Sequence, residues 1–509
     1  APAPAPPAPQ DDVASVDDLD DLDALLDLAN ERRDLAAMRA AWRRFDVLAE
    51  AAEPTTLQKV RRLDARGFEH AVDGEGEDAV TCWKESARLF GTLGDEVRRH
   101  RALARLGAMR AQLGDTGGLD EMAAAADYFA QHPTDDGDAT GSLIRLATVQ
   151  AELGSHAGAI AALDRIVPDD APDRAGEAWF VRGNVLLMTG DPDAAVTALR
   201  RSVEAARTSD DPMETASPAL LLARTLARQE SGPDEETFAL LDEVLGVLPG
   251  ASPMRAAAHA ERGLALLTAD RAADAVADLV EGIAAWTAQG AHEQAVHLRV
   301  DLAAAYLSTG RHLEAAEAAE EALPALDDTQ RCRLILAHAQ KELGEEEAAA
   351  GFTALAEDAA QDGRHDAVAH FLEEAGGVLT GLDMDALAAE RFAEAAEAHE
   401  KAGDPYGVVR TRRRAAMCLL WTGDADQAAT TMDTARAALA GLPPDNEPAR
   451  IWETALVSYD QARLLAQTGD LSAAASNATA AADGFTTLNE TDAAEEATRL
   501  HAEIKEALS

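Results

Sequence analysis

The stretch Gly176–Ala206, GEAWFVRGNVLLMTGDPDAAVTALRRSVEAA, decides the fold. It reads as an apolar helix, a break at Gly190-Asp191, and a second helix. Glycine suits the left-handed residue just past a helix end. An aspartate directly after it can accept from the free N–H groups of the next helix. The same break recurs at Gly423-Asp424 and Gly469-Asp470, and glycines mark it also at Gly74, Gly114, Gly154, Gly310, Gly344 and Gly381.

Outward from Gly183, small residues recur along the chain at Gly67, Gly107, Ala147, Gly183, Ala223, Gly263, Ala303, Ala337, Gly376, Ala416 and Ala462. The steps are 40, 40, 36, 40, 40, 40, 34, 39, 40 and 46. A period in this range marks a solenoid whose repeats stack in one dimension. Forty residues hold two helices of about 15–17 residues, each about 25 Å long. The register weakens at Ser209–Pro218, at Gln229–Glu236 and at Gly441–Pro448 (GLPPDNEP), which are expected to be joints.

Seven positions of the quoted stretch, Trp179, Gly183, Leu186, Gly190, Ala195, Leu199 and Ser202, recur as Arg299, Ala303, Tyr306, Gly310, Ala315, Ala319 and Ala322. They recur again as Arg412, Ala416, Leu419, Gly423, Ala428, Met432 and Ala435. This pattern resembles the tetratricopeptide repeat, over about residues 60–482. The resemblance implies an all-α, right-handed superhelical solenoid of antiparallel helix pairs. It also implies that the first helix of each pair lines a concave groove that binds proteins or peptides. Most steps here exceed the usual unit of about 34 residues, and the bulky Trp179 is replaced by Arg299 and Arg412. Longer units resemble bacterial peptide-responsive regulators, sensor halves of signalling ATPases and polarity scaffolds.

Composition agrees with close-packed helices. Hydrophobic residues make up 47% of the 509 residues but aromatics only 4%, so alanine and leucine carry the core. The formal net charge is -47, from 92 acidic and 45 basic residues. Phosphate neutralisation supplies most nucleic-acid affinity, so nucleic acid and anionic membranes are poor partners for such a chain. Cys82, Cys332 and Cys418 are odd in number and far apart, as expected of a cytoplasmic protein without disulfides, and the use of Arg over Lys with abundant Ala, Gly and Asp suggests a bacterial source.

The expected division is a Pro/Ala-rich and acidic leader at 1–16, a helical cap at 17–54, about eleven repeats at 55–489 and a capping helix at 490–509. In that last helix Ala494, Ala497, Leu500, Ile504 and Leu508 form one apolar stripe. With both ends capped by polar helices, a monomer or weak dimer is expected. APAPAPPAPQ at Ala1–Gln10 reads as an interdomain linker. It suggests an alternative, in which the solenoid is the sensor half of a longer regulator.

The sequence has neither a phosphate-binding G-x-x-x-x-G-K-[ST] loop nor a G-x-S-x-G nucleophile elbow, and no C-x-x-C pair. His292 with His297, and His365 with His370, are five apart, whereas ligands on one helical face need three or four. No catalytic residue, cofactor or metal is expected.

The constellation that stands out is basic. Arginines gather on first helices as Arg61, Arg62 and Arg66; Arg98, Arg99, Arg101 and Arg105; and Arg410, Arg412, Arg413 and Arg414. With the groove implied by the resemblance, Arg61, Arg101, Arg410 and Arg413 face inward. Their guanidinium groups suit a peptide with an acidic segment or a C-terminus. The competing reading pairs them with neighbouring Asp and Glu. Phe180 and Asn184 form a second contact set, with Phe180 as an exposed anchor and Tyr306 a core filler. Asp17, Asp18, Asp20, Asp21 and Asp23 would be a ligand for the groove in cis.

Overall fold

The computed structural model describes residues 22, 35–51, 53–133, 138–166, 172–209, 211–250 and 252–508. The leader at 1–16, most of the cap at 17–54 that precedes Leu35, and the five aspartates read as a cis ligand lie outside these residues. Among the described residues all regular structure is helical. The chain divides into two compact units, Ala1–Leu248 and Pro249–Ser509.

In the first unit, α1 (Leu35–Ala51) precedes five helix pairs. These are α2 (Thr56–Val72) with α3 (Gly76–Leu93), α4 (Glu96–Gln112) with α5 (Gly118–Gln131), and α6 (Asp138–Glu152) with α7 (His156–Leu163). They continue as α8 (Pro172–Met188) with α9 (Pro192–Ala206), and α10 (Ala216–Ala227) with α11 (Glu235–Val247). A 3-10 turn at Pro212–Thr215 occupies the first weak point of the register.

The second unit has six pairs. These are α12 (Pro253–Thr268) with α13 (Ala272–Ala288), α14 (His292–Ser308) with α15 (His312–Ala322), and α16 (Gln330–Leu343) with α17 (Glu347–Gln361). They continue as α18 (His365–Gly381) with α19 (Asp385–Ala402), α20 (Pro405–Trp421) with α21 (Ala425–Ala438), and α22 (Glu447–Thr468) with α23 (Leu471–Thr487). The closing helix α24 (Thr491–Leu508) docks through Ala497 and Ile504, while Leu508 remains exposed.

The small-residue rhythm has a steric cause. A Cβ on Gly183 would lie 2.6 Å from Leu199, one on Gly263 2.6 Å from Leu279, and one on Gly376 2.7 Å from Phe392. Each large side chain comes sixteen residues later, from the second helix of the same pair. At these positions the small residue is thus the hole and the residue sixteen positions on is the knob. Gly67 receives Trp83 in the same way, and Ala416 shares a core cluster with Met432.

The turn chemistry follows the sequence with one correction. Gly190 takes φ 78° and Gly423 φ 88°, as the helix ends require. Gly381 instead remains within α18, and Asp383 takes the left-handed conformation at φ 56°. Asp191, Asp424 and Asp470 cap the next helices, accepting from the backbone N–H groups of Ala194, Gln427 and Ala473, each at 3.1 Å. Asp470→Ala is expected to cost about 1 kcal/mol in thermal unfolding, and Asp470→Asn much less. Equal losses in both variants would contradict the capping role.

Within each unit, ion pairs tie some repeats to the next. In the first unit Arg200 and Arg207 on α9 make two-bond forks to Glu236 and Glu243 on α11, each thirty-six residues on. In the second unit Arg331 reaches Asp301 and Lys341 reaches Glu374, both at 2.7 Å.

Candidate functional site

Helix α20 carries the arginine run. Asp404 caps it by accepting from Gly407 N–H at 3.0 Å, and Pro405 opens its first turn. Helical spacing puts Arg410, Arg413 and Arg414 on one face, while Arg412 turns away to pair with Glu400 on α19. The Arg410 guanidinium forks onto Glu373 of α18, with Nε and Nη2 donating at 2.7 and 2.8 Å. Arg414 donates to the same carboxylate at 3.3 Å and lies over the Phe392 ring, 4.2 Å from its centroid. Arg413 reaches the other way, to Asp460 on α22, which Arg463 also approaches at 3.4 Å. His399 completes the cluster, with Nδ1 3.0 Å from Asp404 and Nε2 3.5 Å from Glu373.

The electrostatics follow from this packing. Burial pushes the Glu373 carboxyl up, but hydrogen bonds from Arg410 and His399 and the charges of Arg410 and Arg414 outweigh it. The carboxyl therefore sits well below the usual carboxylate range. The hydrogen bond to Glu373 raises the Arg410 pKa, whereas burial lowers that of Arg414. Glu453, on the first turns of α22, is 7% exposed, and burial holds its carboxyl above the ordinary value despite Arg413 and Arg410 nearby.

Arg410 is 38% exposed, and its fork to Glu373 uses Nε and Nη2, leaving Nη1 on the outer edge of the guanidinium. A guanidinium held this way is pre-oriented for a second carboxylate. Arg413, at 15%, is largely committed to the α20–α22 seam.

The site residues named from sequence fall into three groups. Arg410 and Arg413 share one helix and one network. Phe180 and Asn184 share α8, where Phe180 is half-buried and Asn184 turns its amide onto the Phe180 carbonyl at 3.0 Å. Arg61 on α2 and Arg101 on α4 are half-buried and engaged with neighbouring groups. Around them Arg62 pairs with Asp46 and Glu69, Arg98 with Asp95, Arg99 with Glu96, and Arg105 with Asp64. Tyr306 packs against the core and supports Arg311 over its ring at 4.3 Å.

Sequence reasoning missed Glu373, His399, Glu453, Asp460 and Gln461. The signal that could have found Glu373 is opposite charge one repeat away, since it precedes Arg410 by thirty-seven residues. Elsewhere, His70, Glu75 and Asp78 bring ligand-type atoms within 4.8 Å of one another, but the trio is open to solvent and His70 already meets Glu75 at 2.6 Å. No helix among the described residues is long and apolar enough to cross a membrane.

Comparison with known proteins places a tetratricopeptide repeat at residues 176–209. No curated relative matches the chain. Among solved structures it is similar to the apo form of the quorum sensor NprR from B. thuringiensis, at 14% identity over 62% of this chain and 90% of that one, with a TM-score of 0.45. It is also similar to a Rap protein complexed with competence and sporulation factor, at 14% identity over 66% and 99%, with a TM-score of 0.29. A tetratricopeptide repeat protein from Parabacteroides merdae matches at 14% identity over 56% and 99%, with a TM-score of 0.33.

Proposed function

We propose that this chain, which carries a tetratricopeptide repeat, is a non-enzymatic adaptor that recognises a protein or peptide through side chains of its first helices. The observation that carries this reading is the α18–α20–α22 network. It fixes Arg410 by two hydrogen bonds to a largely buried carboxylate while leaving the guanidinium half-exposed. An acidic segment or a C-terminus is the matching ligand chemistry. Arg61, Arg101, Phe180 and Asn184 are the further contact positions of this reading, in the first unit. The protein acts in the cytoplasm as a monomer or weak dimer, without a cofactor. The linker-like composition of Ala1–Gln10 favours a second reading, in which the same recognition gates a longer regulatory chain.

The test is capture of partners from native cell extract, identified by mass spectrometry, with wild type beside Arg410→Gln. Glu373 keeps Arg414 and His399 in this variant, so the fold is expected to survive. Capture should fall about tenfold or more, as expected for loss of a charged contact. Equal capture by a variant with an unchanged melting curve would remove Arg410 from the site.

A further inference from the structure

The α20–α22 seam contains polar atoms that the protein itself leaves unsatisfied. Arg413 Nε, Glu453 Oε2 and Gln461 Oε1 are all buried without a hydrogen-bond partner. Glu453 and Gln461 are each only 7% exposed. Buried polar groups are nearly always paired, so such a concentration points to a missing partner. Glu453 is the carboxylate that the usual repeat step would set against Arg413. It lies forty residues after Arg413, the usual step, but the step here is 46, and Asp460 takes its place opposite the arginine.

The charge balance indicates what the partner is. The cluster contains Arg410, Arg413, Arg414 and Arg463 against Glu373, Asp404, Asp460 and Glu453. It is neutral when Glu453 is ionised and His399 neutral, and carries one positive charge when Glu453 is protonated. Resting on the recognition reading above, we propose that this seam binds a ligand carboxylate, a chain terminus or an acidic side chain, together with one proton on Glu453. The proton comes from solvent. The protonated Glu453 donates to one ligand oxygen, and the outer edge of Arg410 and the Nε of Arg413 serve the rest, so the occupied site is again neutral. The groups acting on Glu453 are Arg413 and Arg410 of α20, which favour its ionised form, and Glu373 of α18 and Asp404, which oppose it. Burial opposes ionisation most strongly of all. An arriving anion adds to that opposition, so binding takes up a proton and tightens as pH falls.

The test titrates the full chain with three probes between pH 5.5 and 7.5, following arginine Nε–H resonances. The probes are acetyl-triglycine with a free C-terminal carboxylate, acetyl-Gly-Glu-Gly amide, and acetyl-triglycine amide. Either or both carboxylate probes should bind, distinguishing terminus from side chain, and the neutral amide should not. Binding should weaken with rising pH by up to about tenfold per unit, the limit for one linked proton. Glu453→Gln, a neutral isostere of the acid, should bind and lose this slope. A pH slope that survives in Glu453→Gln belongs elsewhere and overturns the inference. Equal binding of the amide probe also overturns it. If carboxylate probes bind without pH dependence and Arg410→Gln abolishes that binding, the recognition reading stands and the proton-linked site falls. If Arg410→Gln changes no probe, the recognition reading falls with it.

Discussion

Replacing Arg413 with alanine is expected to destabilise the second unit by about 3–5 kcal/mol, the usual consequence of leaving one member of a buried ion pair behind. Asp460 is 5% exposed on its side chain, and without Arg413 its remaining cation is Arg463, 3.4 Å away and itself 39% exposed. Urea unfolding of this variant beside Arg436→Ala provides the contrast. Arg436 pairs with Asp433 on the surface of α21, both about three-fifths exposed, and its loss should cost less than about 1 kcal/mol. Arg413→Ala with Asp460→Ala should recover part of the loss, because the uncompensated charge is gone. A loss below about 1 kcal/mol for Arg413→Ala would mean that Arg463 and solvent suffice for Asp460. For the same reason, reversing charge at both Arg410 and Arg413 would confuse ligand binding with folding.

Gly107→Ala should destabilise the first unit by about 1–3 kcal/mol, although alanine is the better helix former by about 1 kcal/mol. A Cβ at this position would overlap the carbonyl oxygen of Gly118 and approach the Met122 nitrogen at 3.1 Å. These are backbone atoms of α5, and they cannot rotate away as a side chain could. Gly118 faces the Gly107 carbonyl with the same lack of room, so the two helices cross with glycine on both sides. Gly246 in α11 is the control, since a Cβ there meets nothing within 4 Å. Gly246→Ala should raise stability by up to about 1 kcal/mol. Thermal melts of the two variants should therefore move in opposite directions. A stabilised Gly107→Ala would show that propensity, not helix contact, governs the small-residue rhythm.

That rhythm made the architecture legible. Steric fit forces a small residue wherever a side chain sixteen positions on must enter, and sequence records such a demand directly. The capping aspartates were legible for a similar reason, because each follows its glycine without a gap. Gly381 misled because a glycine near a helix end need not be the residue that turns, and Asp383 performs that role here. At the site, the arginines stood out as scarce cations in a chain of 92 acidic residues. Their carboxylate partners did not, because every Asp and Glu was an equal candidate until packing selected Glu373 and Asp460. Asn184 and Phe180 show the limit of analogy by position. Helix geometry turns the first onto its own backbone and half-covers the second.

The loop before α22 bears on chemistry as well as connection. With the 22-residue length of α22 it raises the local step from the usual forty to 46, and Asp460 rather than Glu453 meets Arg413. Repeat length here works as a vernier, since Glu453 and Asp460 lie about two turns apart on one helix and the spacing sets which of them meets the arginine. Insertions and deletions in such a loop are among the mildest changes a fold can undergo, yet at this position they would retune the protonation of a buried acid.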